Sequence, residues 1–233
     1  MNRIFQRTEV LIGAEGVQKL SQSTVAVFGL GGVGSAACEA LARSGIGNLI
    51  LVDNDTINPT NINRQLTALQ STVGQFKVEA EELRIHDINP FCKVTKYPVR
   101  YVRGAQIDFT LVDYVLDCID SVDSKVALAD MADICRVPII SSMGTANRLT
   151  ADFTIADIYK TSGCPLAKTM RHRLKEMGIK SLKVLYSPTP PITNATNPLG
   201  SVSFVPPVAG YMMAGEVVRD LLQKELAARY PKS

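Results

Sequence analysis

The chain has no tryptophan, only two histidines, and five cysteines in 233 residues. The cysteines, Cys38, Cys92, Cys118, Cys135 and Cys164, include no Cys-x-x-Cys pair. An odd set spaced this way speaks against a disulfide framework and against a four-thiolate zinc site. His86 and His172 have no cysteine or histidine partner at ligand spacing, so both read as ordinary residues. No apolar run reaches the roughly 18 residues that cross a bilayer. The longest candidate, Val202 to Gly215, is interrupted by Pro206 and Pro207. Residues 1–7 carry no apolar core of a secretion signal. Strong charge is missing too: a net +3 permits a polyanionic partner but does not demand one. Internal repeats and low-complexity tracts are absent. These absences lead to the expectation of a reduced, cytoplasmic protein with no membrane segment.

What is present is concentrated between Thr24 and Lys77. Thr24-Val25-Ala26-Val27-Phe28 has the pattern of a buried strand. Gly29-Leu30-Gly31-Gly32-Val33-Gly34 follows, then a small-residue helix, Ser35 to Arg43, then an apolar strand, Leu49 to Val52, that ends in Asp53. Strand, glycine turn, helix, and strand with an acid at its tip make a nucleotide-binding unit. Gly29, Gly31, Gly32 and Gly34 let the backbone turn tightly and approach phosphate. The helix start adds free N–H groups and the positive end of a dipole. Asp53, about 20 residues further on, is placed to accept ribose hydroxyls. Taken alone, the turn suits a dinucleotide as well as any other nucleotide.

The segment after it is less common. Asn54 to Gln75 is a long polar connection containing Asp55, Asn61, Arg64 and Gln65. A loop of this length is usually functional, the alternative being a plain solvated one. Gly74-Gln75-Phe76-Lys77 then opens a helix running to about His86. Lys77 falls in its first turn, a poor place for a cation unless it shares an anion with the helix start.

Elsewhere the chain reads as follows. Residues 3–20 form a helix interrupted by Gly13 and Gly16, with Arg7 reading, by pattern alone, as a surface arginine. Cys38 packs inside its alanine-rich helix. Lys93 to Tyr97 and Asp113 to Cys118 are strands, and Asp120 and Ser121 lie just past the second, at the edge where open α/β sheets bind ligands. Asp117 and Asp123 are possible helix caps. A helix, Val122 to Arg136, and a strand, Pro138 to Ser142, complete this half. Beyond it come a strand (Ala151 to Ile158) and an amphipathic helix (Pro165 to Met177). Leu166, Met170, Leu174 and Met177 lie on one side of that helix, and Lys168, Arg171, His172 and Lys175 on the other. The basic side reads either as a solvated face or as a nucleic-acid contact. Ser187 to Pro198 is a loop, Gly200 to Val205 a strand, and Val208 to Leu226 a closing helix. Val208, Met212, Val217 and Leu221 of that helix are candidates for core or dimer contacts. The expected fold is Rossmann-like α/β, a doubly wound, mostly parallel sheet extended by antiparallel strands in the C-terminal part. One domain, 1–233, is expected, with a nucleotide-binding core at 1–145 and an extension at 146–233 for substrate and dimer contacts.

Strand tips bring the glycine turn, Asp53, the Asn61/Arg64/Lys77 group and Asp120 to one edge. The parts suit ATP: Asp53 for the ribose, glycine backbone with Arg64 and Lys77 for phosphates, Asp120 for Mg²⁺. No base or nucleophile stands out. Nucleotidyl transfer needs none when the attacking group is a carboxylate, because catalysis there is mostly positioning and charge neutralisation.

The motifs Gly29 to Gly34, Asp53-Asn54-Asp55, Asn61-Ile62-Asn63-Arg64-Gln65, Gly74-Gln75-Phe76-Lys77 and Asp117-Cys118-Ile119-Asp120 resemble the adenylating domain of the ubiquitin-activating-enzyme-like superfamily. That superfamily includes the adenylating proteins of thiamine and molybdopterin biosynthesis. The resemblance covers residues 3 to 145. It implies that Asp53 binds ribose, that Asn61, Arg64 and Lys77 contact phosphates, and that Asp120 coordinates Mg²⁺. It implies that Gly29, Gly31, Gly32, Gly34, Asp55, Gln65 and Ser121 complete the nucleotide contacts. Arg7 matches an arginine that reaches the γ-phosphate side of a partner subunit's site, which implies a homodimer.

Further on, Ser141-Ser142-Met143-Gly144, Lys160-Thr161-Ser162, Pro165-Leu166-Ala167-Lys168 and Ser201-Val202-Ser203-Phe204-Val205-Pro206 resemble the tRNA threonylcarbamoyladenosine dehydratase family. That resemblance implies ATP-dependent cyclisation of threonylcarbamoyladenosine in tRNA through adenylation of its threonyl carboxylate. Some members carry a cysteine where this chain has Pro198-Leu199-Gly200-Ser201. Cys164, near a helix start that favours thiolate, is the remaining thiol for a thioester route, its other reading being an inert, exposed group. Three rivals stand beside this: adenylation of a sulfur-carrier protein's C-terminus, a nicotinamide-dependent oxidoreductase, and an idle dimeric binding module. Missing zinc cysteines and the basic helix oppose the first, the polar cluster the second, and the complete polar set the third. No sulfur-relay partner is identified.

Overall fold

The computed structural model of the chain describes residues 3–192 and 198–229. A 3-10 turn at Arg3–Phe5 leads into α1 (Gln6–Gln22), which breaks at Gly13. There follow β1 (Thr24–Phe28), α2 (Gly32–Ser44), β2 (Asn48–Val52), α3 (Lys77–Ile88), β3 (Lys93–Tyr97), β4 (Tyr114–Asp117), α4 (Val122–Cys135) and β5 (Ile139–Ser142). The last part holds β6 (Thr154–Asp157), α5 (Pro165–Glu176), β7 (Lys183–Tyr186), α6 (Val205–Leu221) and α7 (Gln223–Arg229).

The strands form one seven-stranded sheet in the order β3-β2-β1-β4-β5-β7-β6. All neighbours run parallel except β6 against β7. The expected doubly wound sheet with an antiparallel C-terminal extension is therefore present. Its chain order reverses between β1 and β4, the switch point where open sheets leave a crevice at their carboxyl ends.

The inner strands are apolar throughout because both their faces are covered. Along β1, Val25 and Val27 pack toward α2, α3 and α6, while Ala26 and Phe28 pack toward α4 and the loop carrying Tyr101 and Phe109. Tyr114 and Leu116 of β4 join the first layer and Val115 the second. A third cluster, with Met170, Leu174, Val184 and Tyr186, seats α5 on β7. Each such fully buried side chain contributes about 1.5–3 kcal/mol by leaving water. Cys38 is fully buried in α2 and its thiol is pushed up by burial, as its packing role requires.

Most differences from the sequence reading fall after residue 145. β7 is a strand that the sequence pattern did not reveal. Tertiary bonds hold it. Lys183 pairs with Glu216 at 2.9 Å and with Asp220 at 2.6 Å, and the Tyr114 hydroxyl donates to Asp220 at 2.6 Å. Residues 200–204 are not a strand. Pro206 and Pro207 lack the N–H a ladder needs but suit the first turn of a helix, and Val205 begins α6. β6 is shorter than expected because Asp157 turns the chain, its carboxylate accepting from Tyr159 N in a 3-10 turn at Ile158–Lys160. The closing helix is two helices divided at Leu222, with Val217 buried, Met212 and Leu221 partly buried against the core, and Val208 exposed. On α5, Met170 and Leu174 face inward with Ala167, whereas Met177 lies past the helix end and is exposed. The expected loop 187–198 lies partly outside the described residues.

Candidate active site at the carboxyl edge of the sheet

The edge opens into a cleft of about 720 Å³, within the range of small-molecule sites. Its floor is the glycine turn. Gly29 has φ +87°, and a Cβ there would meet the Cys118 carbonyl oxygen at 2.7 Å, so glycine is required where β1 passes the tip of β4. Gly34 does not line the cleft; a Cβ on it would fall 1.8 Å from the Gly29 carbonyl oxygen, so it lets α2 start directly on the turn. Gly32 lines the cleft and packs under Pro206, whose Cβ would lie 2.9 Å from an added methyl. Gly31 is the open position: a Cβ there meets nothing nearer than Gln65 Nε2 at 4.0 Å. The first bond of α2 runs from Ser35 N to Gly31 O at 3.0 Å, so the three N–H groups before Ser35 precede the helix ladder.

Asp53 stands at the tip of β2. Its carboxylate accepts from Leu30 N at 2.6 Å and from Asp55 N at 2.8 Å, which ties it to the glycine turn. Burial raises its pKa, opposed by the Lys77 ammonium and these two amides. Lys77, at the first position of α3 and only 5% exposed, bonds Asp55 at 2.6 Å and lies 3.7 Å from Asp53. The polar connection that brings it there is ordered by its own backbone. Thr56 pairs with Phe76, Ile57 N donates to Gln75 O at 2.8 Å, and Lys77 N donates to Asp55 O at 3.0 Å. Asn58 and Asn61 cap a 3-10 turn reciprocally. Arg64 Nη1 donates to Thr60 O at 3.0 Å and Asn63 Oδ1 at 2.8 Å, which fixes the guanidinium beside the cleft. Gln65 is 6% exposed, lines the cleft, and its Oε1 has no hydrogen-bond partner among the described residues. A buried polar atom left this way is a group waiting for a ligand or water.

Across the cleft, Asp120 and Ser121 follow β4, with Asp120 exposed. Beneath them lies a buried ion pair. Lys125, fully buried on α4, bonds Asp117 at 2.9 Å and donates to the Ile119 carbonyl at 3.0 Å. Asp117 also accepts from Ser141 Oγ and from Ile119 N. This pair shapes the turn that carries Asp120. Asp123 caps nothing through its side chain and pairs with Arg173 at 2.9 Å.

Of the residues expected at the site, Gly29, Gly31, Gly32, Asp53, Asp55, Asn61, Arg64, Gln65, Lys77, Asp120 and Ser121 all line this one cleft. Arg7 does not: it is exposed on the first turn of α1. Cys164 does not either, and it is buried rather than exposed, lying at the N-cap of α5.

Against known proteins, the model of the ThiF family matches residues 5–232. The chain belongs to the ThiF family. Within that family it is 45% identical to the tRNA threonylcarbamoyladenosine dehydratase of Bacillus subtilis, over 94% of each chain. The crystal structure of the Escherichia coli tRNA N6-threonylcarbamoyladenosine dehydratase in complex with ATP superimposes with a TM-score of 0.90 at 32% identity, covering 97% of this chain and 96% of that one. The same enzyme in complex with AMP gives 0.89 at 32%, covering 96% and 94%.

The ThiF-family cleft also has walls that the sequence reading missed. Val99, Arg100 and Tyr101 come from the segment after β3, Thr145 and Ala146 from the segment after β5, and Leu199, Ser201 and Pro206 from the approach to α6 and its first turn. The first two groups follow strand ends, so the carboxyl-edge rule would have found them. The third reaches the cleft through long-range contacts such as Asn63 Nδ2 to Ser201 O at 3.0 Å, which leave no local signal.

Proposed function

We propose that the cleft holds ATP and that the chain dehydrates threonylcarbamoyladenosine in tRNA by adenylating its threonyl carboxylate. One observation carries the reading. The glycine turn, the start of α2 and the Asn61/Arg64/Gln65/Lys77 group meet in a single cleft whose other walls bear Asp53 and Asp120. A dinucleotide leaves that polar group without a task; a triphosphate employs all of it. The full-length likeness to dehydratases, and the ATP held by the E. coli enzyme, agree with this assignment.

In this reading Asp53 accepts the ribose hydroxyls with the lone pairs its two amide donors leave free. Gly31, with no side chain above it, admits the phosphates to the α2 N–H groups. Lys77 exchanges its bond to Asp55 for phosphate oxygens, and Arg64, Asn61 and Gln65 donate alongside it. The substrate carboxylate attacks the α-phosphorus, and pyrophosphate leaves. The neighbouring carbamoyl group then closes on the acyl carbon, loses its proton, and expels AMP with one former carboxylate oxygen. The net change is loss of water, and ring closure within one molecule needs little beyond orientation.

Asp120 is the residue for Mg²⁺. One carboxylate completed by phosphate oxygens and water is how this ion is ordinarily bound, so the metal would arrive with the nucleotide. When bound it neutralises charge on the phosphates. Arg7, exposed and away from its own cleft, is assigned to the γ-phosphate side of a partner's cleft in a homodimer. The exposed Lys168 and Lys175 of α5 are assigned to tRNA phosphates, whereas Arg171 is committed to the Thr161 carbonyl at 3.0 Å and His172 lies 3.4 Å from Glu176. The working compartment is the cytoplasm, where tRNA is found. No helix among the described residues is long and apolar enough to cross a membrane.

The test is direct. The protein is incubated with ATP, Mg²⁺ and threonylcarbamoylated tRNA, and the digested nucleosides are weighed. ATP-dependent loss of one water from the modified base is expected. No mass change, with pyrophosphate exchange appearing only when a carrier protein is supplied, would transfer the assignment to carrier activation.

A further inference from the structure

The cations of the cleft are not equivalent. Lys77 is neutralised by Asp55 at 2.6 Å, and Arg64 is engaged by Thr60 and Asn63. Arg100 is different. It is exposed at the rim, has no carboxylate partner among the described residues, and its one hydrogen bond is a long one, Nη2 to Ser121 Oγ at 3.4 Å. That contact spans the mouth of the cleft, from the segment after β3 to the tip of β4. Val52, Val99, Tyr101 and Ile119 line the end it spans, and Val52, Tyr101 and Ile119 belong to the layer on the face of the sheet away from α2. Tyr101 is 4% exposed and held edge-on against Phe28, ring centres 5.0 Å apart, so this wall is rigid.

A nucleotide with phosphates on the glycine turn and ribose on Asp53 must place its base at this apolar end. One face of the base would then lie on Val99 and Ile119. The other would be open to water, except where Arg100 crosses. We propose that Arg100 closes over the base of bound ATP, its guanidinium plane stacked on the purine. This rests on the reading that the cleft takes ATP. A guanidinium is suited to the task because it is planar, weakly hydrated and attracted to the face of an aromatic ring. Its weak bond to Ser121 costs little to exchange. Charge alone does not explain the placement, since Lys77 and Arg64 already serve the phosphates and Arg100 lies among Val99, Tyr101 and Ile119.

The experiment measures the ATP dissociation constant, the KM for ATP and the KM for tRNA in wild type, Arg100→Ala, Arg100→Gln and Arg100→Lys. Because the side chain is exposed, the variants are expected to melt with wild type. Removing the stack is expected to weaken ATP binding about tenfold, with the loss in KM for ATP rather than in kcat. Arg100→Lys is expected to be as weak as Arg100→Gln, because an ammonium offers no plane. An unchanged ATP constant in Arg100→Ala would overturn the proposal. So would full rescue by lysine, which would make Arg100 a plain charge contact to the nucleotide, or a rise confined to the KM for tRNA, which would make it a contact to RNA. Failure of the wild-type protein to bind ATP would instead remove the reading of the cleft itself.

Discussion

Replacing Lys125 by methionine removes one partner of a pair with no access to solvent. The Lys125 and Asp117 side chains are 0% and 1% exposed and 2.9 Å apart. At an effective dielectric constant of about 20, two unit charges at that distance attract by about 6 kcal/mol. Desolvation offsets much of this while both charges are present, so the intact pair adds little net stability. The single substitution is asymmetric. It leaves the Asp117 carboxylate buried, retaining only the Ser141 hydroxyl and the Ile119 amide as donors. Such losses cost about 3–5 kcal/mol, and the two surviving donors favour the lower end. For a chain of this length each kcal/mol moves Tm by about 2–4 °C, so a fall of about 6–12 °C is expected. The Asp117→Asn/Lys125→Met double variant restores neutrality and is expected to recover most of it. Calorimetry, with urea titration at the same pH, measures all the variants. If Lys125→Met lies within about 1 kcal/mol of wild type, or the double variant is less stable than the single one, the pair is not the isolated charge couple described here. The same variants report on function: Lys125 also holds the Ile119 carbonyl beside Asp120, so the double variant is expected to need more Mg²⁺ for ATP binding despite its recovered Tm.

Arg64→Ala and Lys77→Ala are each expected to reduce adenylation, read as pyrophosphate exchange, by on the order of 10²–10³-fold, with circular dichroism unchanged. Wild-type rates in both would remove the polar loop from the site. Glu81 on α3 is fully buried, neither carboxyl oxygen has a partner among the described residues, and burial raises its pKa, opposed by Arg84 and, to a smaller extent, reinforced by Glu39. A carboxyl whose folded pKa lies above its unfolded value is fully tolerated below the unfolded pKa and costs stability as pH rises toward the folded one. Glu81→Gln is therefore expected to raise Tm relative to wild type at pH 8, with the gap closing toward pH 5; an equal gap at both would sink the idea. Lys168→Glu/Lys175→Glu is expected to raise the KM for tRNA and flatten its salt dependence without altering ATP binding. If the KM for tRNA is unchanged at low salt, α5 is a solvated face.

Much of the site was legible because its parts are local. Gly29 to Gly34 announce themselves by turn chemistry, Asp53 by its distance from them, and Lys77 by its unusual place at a helix start. Each of those signals spans fewer than about 30 residues, the size of one strand-helix-strand unit. Arg100 carried no such signal, because an arginine after a strand looks like any solvated loop residue until the tip of β4 is brought opposite. Lys125 reads in sequence as one more polar residue on a helix; only the docking of α4 on β4 buries it against Asp117. Gly34 shows a second use of a motif residue: its side chain position lines no part of the cleft, and the missing Cβ lets α2 start directly on the turn.

By itself the sequence determined the order of the elements up to residue 145, the sheet edge at which the cleft opens and most of the polar residues that line it. Turn residues and short apolar runs are read within a few residues, and the buried strands there show as such runs between turn signals. Tertiary structure alone decided that four residues, Lys183–Tyr186, become a strand, that the segment 198–206 closes the cleft, and that Arg7 and Cys164 stand outside it. Those outcomes depend on contacts between segments far apart in the chain, such as Tyr114 with Asp220 and Asn63 with Ser201. Their energy comes from the partner brought close by folding, and no local pattern records which partner that will be.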